Sequence, residues 1–526
     1  MITTRVACIL LCVAPLFAKA EPSPNFIVTL VGDQGRGTTF DCSYLDRLDV
    51  EDAEVHSADW VAAGAFEAPK SKRLQSRYQA LPRFCRVTGS IAPTADSDIR
   101  FELWLPEPDN WNGKFMQTGN GGAAGSIDYN SMVDPLMRGY AVTNTDTGHV
   151  GGGGDFSWAV GQPEKWVDYQ YRAVHELTRV GKALTSANFG KEPHKSYWLG
   201  CSTGGRQGLK EAQLYPDDYD AIIAGAPASN WVPLMTKSVL IQNSLGENGL
   251  GLDKLAPLKE AALAACDSND GVTDRVISDP GNCSFDPASL ACAGDDDAVC
   301  LTPTEVEAAR RIYAGVVNSE GETLIPGTGP GSETLWQVYK RGFSIGESYF
   351  RHLIYNDPEW NSEMFDMESA LERAYRLDAG GTDAMDPDLS AFVEGGGKLI
   401  VYHGTTDGLI PYGNSVNYHE SVIDTLGQQA VDDSVRLYLL PGMDHCDGGE
   451  GADTVDFIAA MEDWVERGKA PAEILAERRA REKSVWAPAR HALSRVVCPY
   501  PQDPRYKGSG DPNEAENFAC VIRDQD

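Results

Sequence analysis

Ser196-Tyr197-Trp198-Leu199-Gly200-Cys201-Ser202-Thr203-Gly204-Gly205 is the stretch on which the fold turns. Its apolar start reads as a short strand, 200–204 as a tight turn, and 205–214 as a helix stopped by Pro216. The turn has the G-x-S-x-G pattern. Its glycines permit a strained strand-to-helix bend that lifts a serine hydroxyl above a sheet, where a helix N-terminus and a backbone N–H can stabilise an oxyanion. The same pattern occurs in ordinary loops of Gly-rich chains, so its weight depends on finding partners for Ser202.

Outward from this turn, strands and helices alternate. Strands are expected at 101–105, 114–117, 140–143, 221–225, 398–403 and 435–440, and helices at about 169–186 and 455–467. That rhythm argues for an α/β fold with a mainly parallel sheet flanked by helices. From 229 to 387 the rhythm disappears, four cysteines cluster, and Gly, Pro and acidic residues are dense. This reads as a large insertion, leaving 21–228 and 388–526 as the catalytic domain.

The partners come in the order that a hydrolase of this architecture requires: serine, acid, histidine, each just past an expected strand. Asp407 lies in His403-Gly404-Thr405-Thr406-Asp407, and His445 in Pro441-Gly442-Met443-Asp444-His445-Cys446. In this scheme His445 takes the proton of Ser202 and returns it to the leaving alcohol, while Asp407 fixes the imidazole tautomer. Asp444 is the rival acid, but a residue adjacent in sequence cannot readily orient the next residue's ring. Cys201 and Cys446 flank the nucleophile and the base. A bridge between them would tie two catalytic loops together, worth roughly 4 to 5 kcal/mol in the chain-entropy picture and more in preorganisation. Each could also pair elsewhere.

Residues 1–20 read as a secretory signal: Arg5, an apolar run from Val6 to Phe17, and Ala18-Lys19-Ala20 as the cleavage site. The run is too short to span a bilayer, and no later stretch reaches the roughly 18 apolar residues a membrane helix needs. The expected product is soluble, secreted or periplasmic, with no membrane partner. Of twelve cysteines, Cys8 and Cys12 leave with the signal; Cys42, Cys85, Cys201, Cys266, Cys283, Cys292, Cys300, Cys446, Cys498 and Cys520 remain. An even number in an oxidising compartment suggests five disulfides, whose connectivity spacing alone does not set. A formal charge of −32 argues against nucleic acid as a partner. Oligomeric state is not legible.

Cys201-Ser202, Asp407 and His445-Cys446 resemble the paired-cysteine triad of the tannase and feruloyl esterase family. Thr118-Gly119-Asn120-Gly121-Gly122, Asn144-Thr145-Asp146-Thr147-Gly148-His149, Asp168-Tyr169 with Tyr171-Arg172-Ala173, and Tyr506-Lys507-Gly508-Ser509-Gly510-Asp511 are also similar to its pattern, across most of 40–522. The resemblance implies an α/β-hydrolase fold whose insertion, 229–387, is a lid. It implies cysteine pairs 42–85, 201–446, 266–283, 292–300 and 498–520. It further implies a serine carboxylic-ester hydrolase acting on aromatic acid esters, feruloyl or other hydroxycinnamoyl or galloyl, through an acyl-enzyme. The family also holds hydrolases of mono(2-hydroxyethyl) terephthalate, which grip a second carboxylate with a lid arginine. Here Tyr339 stands where that arginine would lie, with Arg341 close, so this substrate ranks second. A non-catalytic glycan- or polyphenol-binding protein on a hydrolase scaffold is the alternative from another class, and the intact triad argues against it.

The oxyanion hole is expected from the backbone N–H of Thr203 and of Gly122, since the Gly121-Gly122 loop follows a strand where such enzymes place their second donor. The run 266–276 offers closely spaced hard oxygen ligands suited to Ca²⁺. It is not an EF-hand, because Ser278 stands where a bidentate glutamate is required; a solvated acidic turn is the plain alternative. The family resemblance implies one structural calcium in the lid, held by side chains of Asp267, Asp270 and Asp274 and carbonyls of Val272 and Val276. His149, His175 and His403 lack the i, i+4 spacing of a helix-borne zinc site and read as satisfied structural histidines. Gly151 to Gly154 lacks the Gly-Lys-Ser/Thr ending of a phosphate loop. Trp336, Tyr339, Phe343, Tyr349, Phe350 and Trp360 are expected in the lid, either clasping an aromatic acyl group or forming lid core.

Overall fold

A computed structural model of the chain describes residues 29–30, 41–69, 75–294, 299–480 and 491–522. The signal expected at 1–20 lies outside them. The frame is a nine-stranded sheet. Its strands are β1 (Ala53–Val61), β2 (Phe84–Ile91), β3 (Ile99–Pro106), β4 (Lys114–Thr118), β5 (Ala141–Thr145), β6 (Lys195–Cys201), β7 (Ala221–Gly225), β8 (Lys398–Gly404) and β9 (Val435–Leu440). Their order across the sheet is β9-β8-β7-β6-β4-β5-β3-β2-β1. The run from β5 to β9 is parallel throughout, while β1, β2 and β3 form an antiparallel extension joined to β5.

Alternation along the parallel strands explains why both faces are covered. Phe115, Trp198, Ile222, Ala224, Leu399, Val401, Leu437 and Leu439 point into one core, with α1 (Ala173–Phe189) and α7 (Tyr412–Leu426). Met116, Tyr197, Ile223, Ile400, Tyr438 and Leu440 point into the other, with α8 (Phe457–Arg467) and the strands Ile474–Arg478 and Leu493–Val497. Burial on two faces is what near-continuous apolar runs in such strands encode.

Between β7 and β8 the chain makes its long excursion. It carries α3 (Trp231–Ser244), α4 (Leu255–Cys266), α5 (Pro303–Ala314) and α6 (Met367–Asp378), with several single-turn helices. α5 begins in a reciprocal capping box between Thr302 and Glu305. Ile241, Leu245, Leu258, Val306, Ile312, Trp336 and Tyr339 give the excursion a core of its own. Its two crossings run side by side, since the Ala384 N–H donates to the Ser229 carbonyl at 2.9 Å. Five disulfides are formed: Cys42–Cys85, Cys201–Cys446, Cys266–Cys283, Cys292–Cys300 and Cys498–Cys520. No helix among the described residues is long and apolar enough to cross a membrane.

Strand order places the site. β4 is flanked by β5 on one side and β6 on the other, so the chain reverses its winding there and the loops leaving β4 and β6 open a crevice at the carboxyl edge.

Candidate active site

Ser202 sits at the tip of the bend between β6 and α2 (Thr203–Leu214), at φ 64° and ψ −122°. Such a backbone for a non-glycine residue is strained and persists only where neighbours hold it. The Ser202 N–H donates to Gly225 O at 2.9 Å, and its carbonyl accepts from Ala228 N at 3.1 Å. A side chain at Gly200 would meet the Gly204 backbone at 2.6 Å, which is why the bend needs glycine there. α2 starts at Thr203, two residues earlier than the sequence periodicity suggests.

The loop after β4 lies against this bend. Gly204 N donates to Asn120 O at 2.7 Å, and Asn120 N to Gln207 Oε1 at 3.0 Å. The Gly122 carbonyl accepts from Thr203 Oγ1 at 2.7 Å and Tyr169 OH at 3.0 Å. Gly122 has φ +55°, and a Cβ there would stand 2.0 Å from Gly153 O. The 151–154 glycines are thus the surface against which this loop packs. Neither the Gly122 N–H nor the Thr203 N–H donates a hydrogen bond among the described residues. Both residues line one cleft with Ser202 and His445, so two backbone donors are available beside the serine.

Asp407 follows β8 and is fully buried. Its Oδ2 lies 2.7 Å from His445 Nδ1, and its Oδ1 accepts from Leu409 N at 2.8 Å and Ile410 N at 2.9 Å. His403 Nε2 lies 3.0 Å from Ile410 O and 3.2 Å from Asp407 Oδ2. The carbonyl can only accept, so His403 carries its proton on Nε2 and shares it with the acid. Burial works to raise the Asp407 carboxyl, yet His445 and His403 together hold it well below the usual carboxylate range. Burial likewise opposes charge on His445, but Asp407 raises its imidazole above the ordinary value. Asp444 accepts from Thr406 Oγ1 at 3.0 Å and is pushed up to about 6 by burial; it makes no hydrogen bond to the His445 ring. The link from Ser202 Oγ to His445 is not formed in this structure. Such bonds commonly tighten only around substrate. What holds the two loops together is the Cys201–Cys446 bridge, with Cα atoms 6.0 Å apart.

The cleft is walled by Ala228, Trp231, Leu234, Met235, Ile345 and Ile410, with Ser238 and Tyr339 as polar additions. Of the six excursion aromatics singled out in the sequence, Tyr339 and Phe343 line it. Trp336, Tyr349, Phe350 and Trp360 are buried in the excursion's cores. Arg341 is exposed and is not among the lining residues. The sequence reading missed α3, which supplies Trp231, Leu234, Met235 and Ser238. It also missed Lys237 on that helix, whose buried Nζ donates to Leu409 O at 3.1 Å behind the Asp407 loop. Burial pushes this ammonium down to about 7.

The acidic loop of the excursion hangs on the Cys266–Cys283 bridge and packs, through Val272, on Val496, Cys498 and Phe518 of the tail. Asp267 accepts from Asp274 N and Arg275 N, Asp270 from Val272 N and Ser278 Oγ, and Asp274 from Val276 N and Arg495. The Val272 and Val276 carbonyls accept no hydrogen bond among the described residues. Three carboxylates and two open carbonyls are a donor set of the chemistry calcium takes. Their oxygens do not close into one shell here: the three carboxylates do not all come within 4.8 Å of one another, and Arg495 holds one oxygen of Asp274.

His149 is satisfied by Ala123 O at 2.8 Å and stacks on Trp158, and His175 meets Asp218 at 2.7 Å.

Residues 85–521 match a family model described as Tannase and feruloyl esterase. An uncharacterized esterase of Xanthomonas campestris pv. campestris is 34% identical, over 91% of this chain and 91% of its own length. A probable feruloyl esterase B-1 of Aspergillus flavus is 32% identical, over 93% and 95%. The crystal structure of feruloyl esterase B from Aspergillus oryzae superposes with a TM-score of 0.82 at 29% identity, covering 91% of this chain and all of that one.

Proposed function

The chain belongs to the tannase and feruloyl esterase family and is a carboxylic ester hydrolase of that type; from that premise we propose that it cleaves esters of aromatic carboxylic acids with Ser202, His445 and Asp407. The observation that carries the reading is the 2.7 Å contact of His445 Nδ1 with the buried Asp407, in a cleft that His445 shares with Ser202. Asp407 sets the tautomer that leaves Nε2 free to take the serine proton. Ser202 Oγ then bonds to the acyl carbon. The N–H groups of Thr203 and Gly122 receive the oxyanion, and the C–O bond to the alcohol breaks as His445 returns the proton. Water, deprotonated by the same imidazole, releases the acid and restores the serine.

An aromatic acyl group suits the walls. Trp231, Phe343 and Tyr339 supply rings, and Leu234, Met235 and Ile410 supply aliphatic surface. No lysine or arginine is among the described residues that line the cleft, and its apolar walls suit feruloyl, other hydroxycinnamoyl or galloyl esters better than a terephthalate monoester with its second carboxylate. The excursion at 229–387 serves as the lid over this cleft. A calcium ion in its acidic loop would be held by Asp267, Asp270 and Asp274 and the carbonyls of Val272 and Val276, and would brace the lid against the tail. Export fits the ten paired cysteines and the secretory signal that the sequence suggests at 1–20.

The test is hydrolysis of methyl ferulate, methyl gallate and mono(2-hydroxyethyl) terephthalate by wild type and Ser202→Ala. Turnover of the first or second at a kcat/KM at least about tenfold above the third supports the reading. Preference for the terephthalate ester would overturn the substrate class, and no turnover of any would favour a binding protein.

A further inference from the structure

His175 on α1, Glu211 on α2 and Asp218 in the turn after α2 converge beside the packed helices α1 and α2, and none of them lines the cleft. One ligand-type atom of each lies within 4.8 Å of the other two, the sole such trio among the described residues. Glu211 is 1% exposed, and beyond the Asp218 side chain beside it neither of its carboxylate oxygens has a hydrogen-bond partner. A buried carboxylate without donors is costly and calls for a counterpart. Lys182 Nζ donates to the Asp218 backbone carbonyl and leaves both Glu211 oxygens open.

We propose that His175, Glu211 and Asp218 form a binding site for a divalent transition cation of the zinc or manganese kind, separate from the acidic loop of the lid. One imidazole nitrogen with two carboxylate oxygens suits those ions, whereas calcium prefers six to eight oxygens. The His175 and Asp218 side chains are 28% and 17% exposed, so solvent reaches the trio. Coordination replaces the His175 Nδ1–Asp218 hydrogen bond of 2.7 Å, while the ring stays stacked on Tyr215 at 3.7 Å. An i, i+4 histidine pattern does not capture this arrangement, because its ligands come from two helices and a turn. The ion would fasten α1 to the last turns of α2, the helix whose first residue adjoins Ser202.

The experiment is zinc titration by calorimetry on the full chain, stripped of metal and returned to excess calcium, with manganese followed by electron paramagnetic resonance as a second probe. One equivalent is expected. Glu211→Gln should abolish it, and His175→Gln should weaken it by at least about tenfold. No binding by wild type, or full stoichiometry retained in Glu211→Gln, would overturn the proposal. If Glu211→Gln fails to fold by circular dichroism, anomalous diffraction from wild-type crystals soaked in zinc decides. A peak among the three side chains supports the site, and a peak only elsewhere, or none, refutes it.

Discussion

Replacing Cys201 and Cys446 together by alanine removes the one covalent tie between the serine and histidine loops. The bridge spans 245 residues. In the chain-entropy account a loop of that length contributes about 5 kcal/mol at 25 °C, and the two bridges nested within it change that by only a few tenths. Native bridges lost from folded proteins commonly cost about 2–5 kcal/mol, so the entropic figure is the upper bound. The catalytic effect has a separate origin. Ser202 keeps its bonds to Gly225 and Ala228, and His445 keeps Asp407, so each loop stays formed; what is lost is their mutual placement. A displacement on the order of 1 Å costs about 10²-fold in rate. Urea unfolding of the double variant, with the other four bridges verified intact by thiol counting, should show the stability loss, and kcat/KM on methyl ferulate should fall about 10²-fold. Wild-type kcat/KM in a correctly folded double variant would refute the positioning argument, and an unchanged unfolding midpoint would refute the loop argument.

Asp407→Asn should lower kcat by about 10⁴-fold while Asp444→Asn stays within about tenfold of wild type, because only Asp407 bonds the imidazole; equal losses would return Asp444 to candidacy. Asp407 raises the His445 imidazole, and the base works only when neutral. Wild-type kcat/KM should therefore fall on acidification below a pKa above 6.5, and residual activity in Asp407→Asn should show that limb at lower pH; a limb that stays in place would contradict the assignment. Gly122→Ala places a Cβ 2.0 Å from Gly153 O at a φ of +55°, so kcat should drop about 10²–10³-fold with KM little changed, and a KM effect alone would count against an oxyanion role. Calcium-selective chelation should lower the melting temperature by about 3 °C relative to calcium held at a hundred times its Kd, restored by calcium and not by zinc; an unchanged melting curve would count against a lid calcium.

The elements that bring Ser202, Asp407 and His445 to one place were legible because each is a short local pattern at a strand end. G-x-S-x-G follows β6, Asp407 follows β8, and His445 follows β9, so periodicity alone placed them along one sheet edge. The strands read from apolar runs fall within a residue or two of those observed. β1 and β2 escaped notice because β1 mixes buried with exposed positions, as in Ala53-Glu54-Val55-His56-Ser57, and so lacks an apolar run. The tail strands are short and their alternation is broken, as Ile474-Leu475-Ala476-Glu477-Arg478 shows with Leu475 exposed and Arg478 buried. The cleft walls were illegible for another reason. From Trp231 through Val239 every residue of α3 is buried, so the helix has no polar face to betray its orientation, and neither Ser238 nor Lys237 carries a motif. Only tertiary placement shows that Lys237 reaches the Leu409 carbonyl in the loop of Asp407. The His175, Glu211 and Asp218 trio is hidden likewise, its members separated in sequence and joined by helix packing.

The most direct test of the account is mass-spectrometric mapping of the protein after reaction with a fluorophosphonate, which phosphonylates an activated serine by displacement of fluoride. A single adduct on the peptide carrying Ser202, lost in Ser202→Ala and strongly slowed in His445→Ala, is the expected result. An adduct on a different serine, or labelling at an unchanged rate in His445→Ala, would contradict the claim that Ser202 is a nucleophile activated by His445.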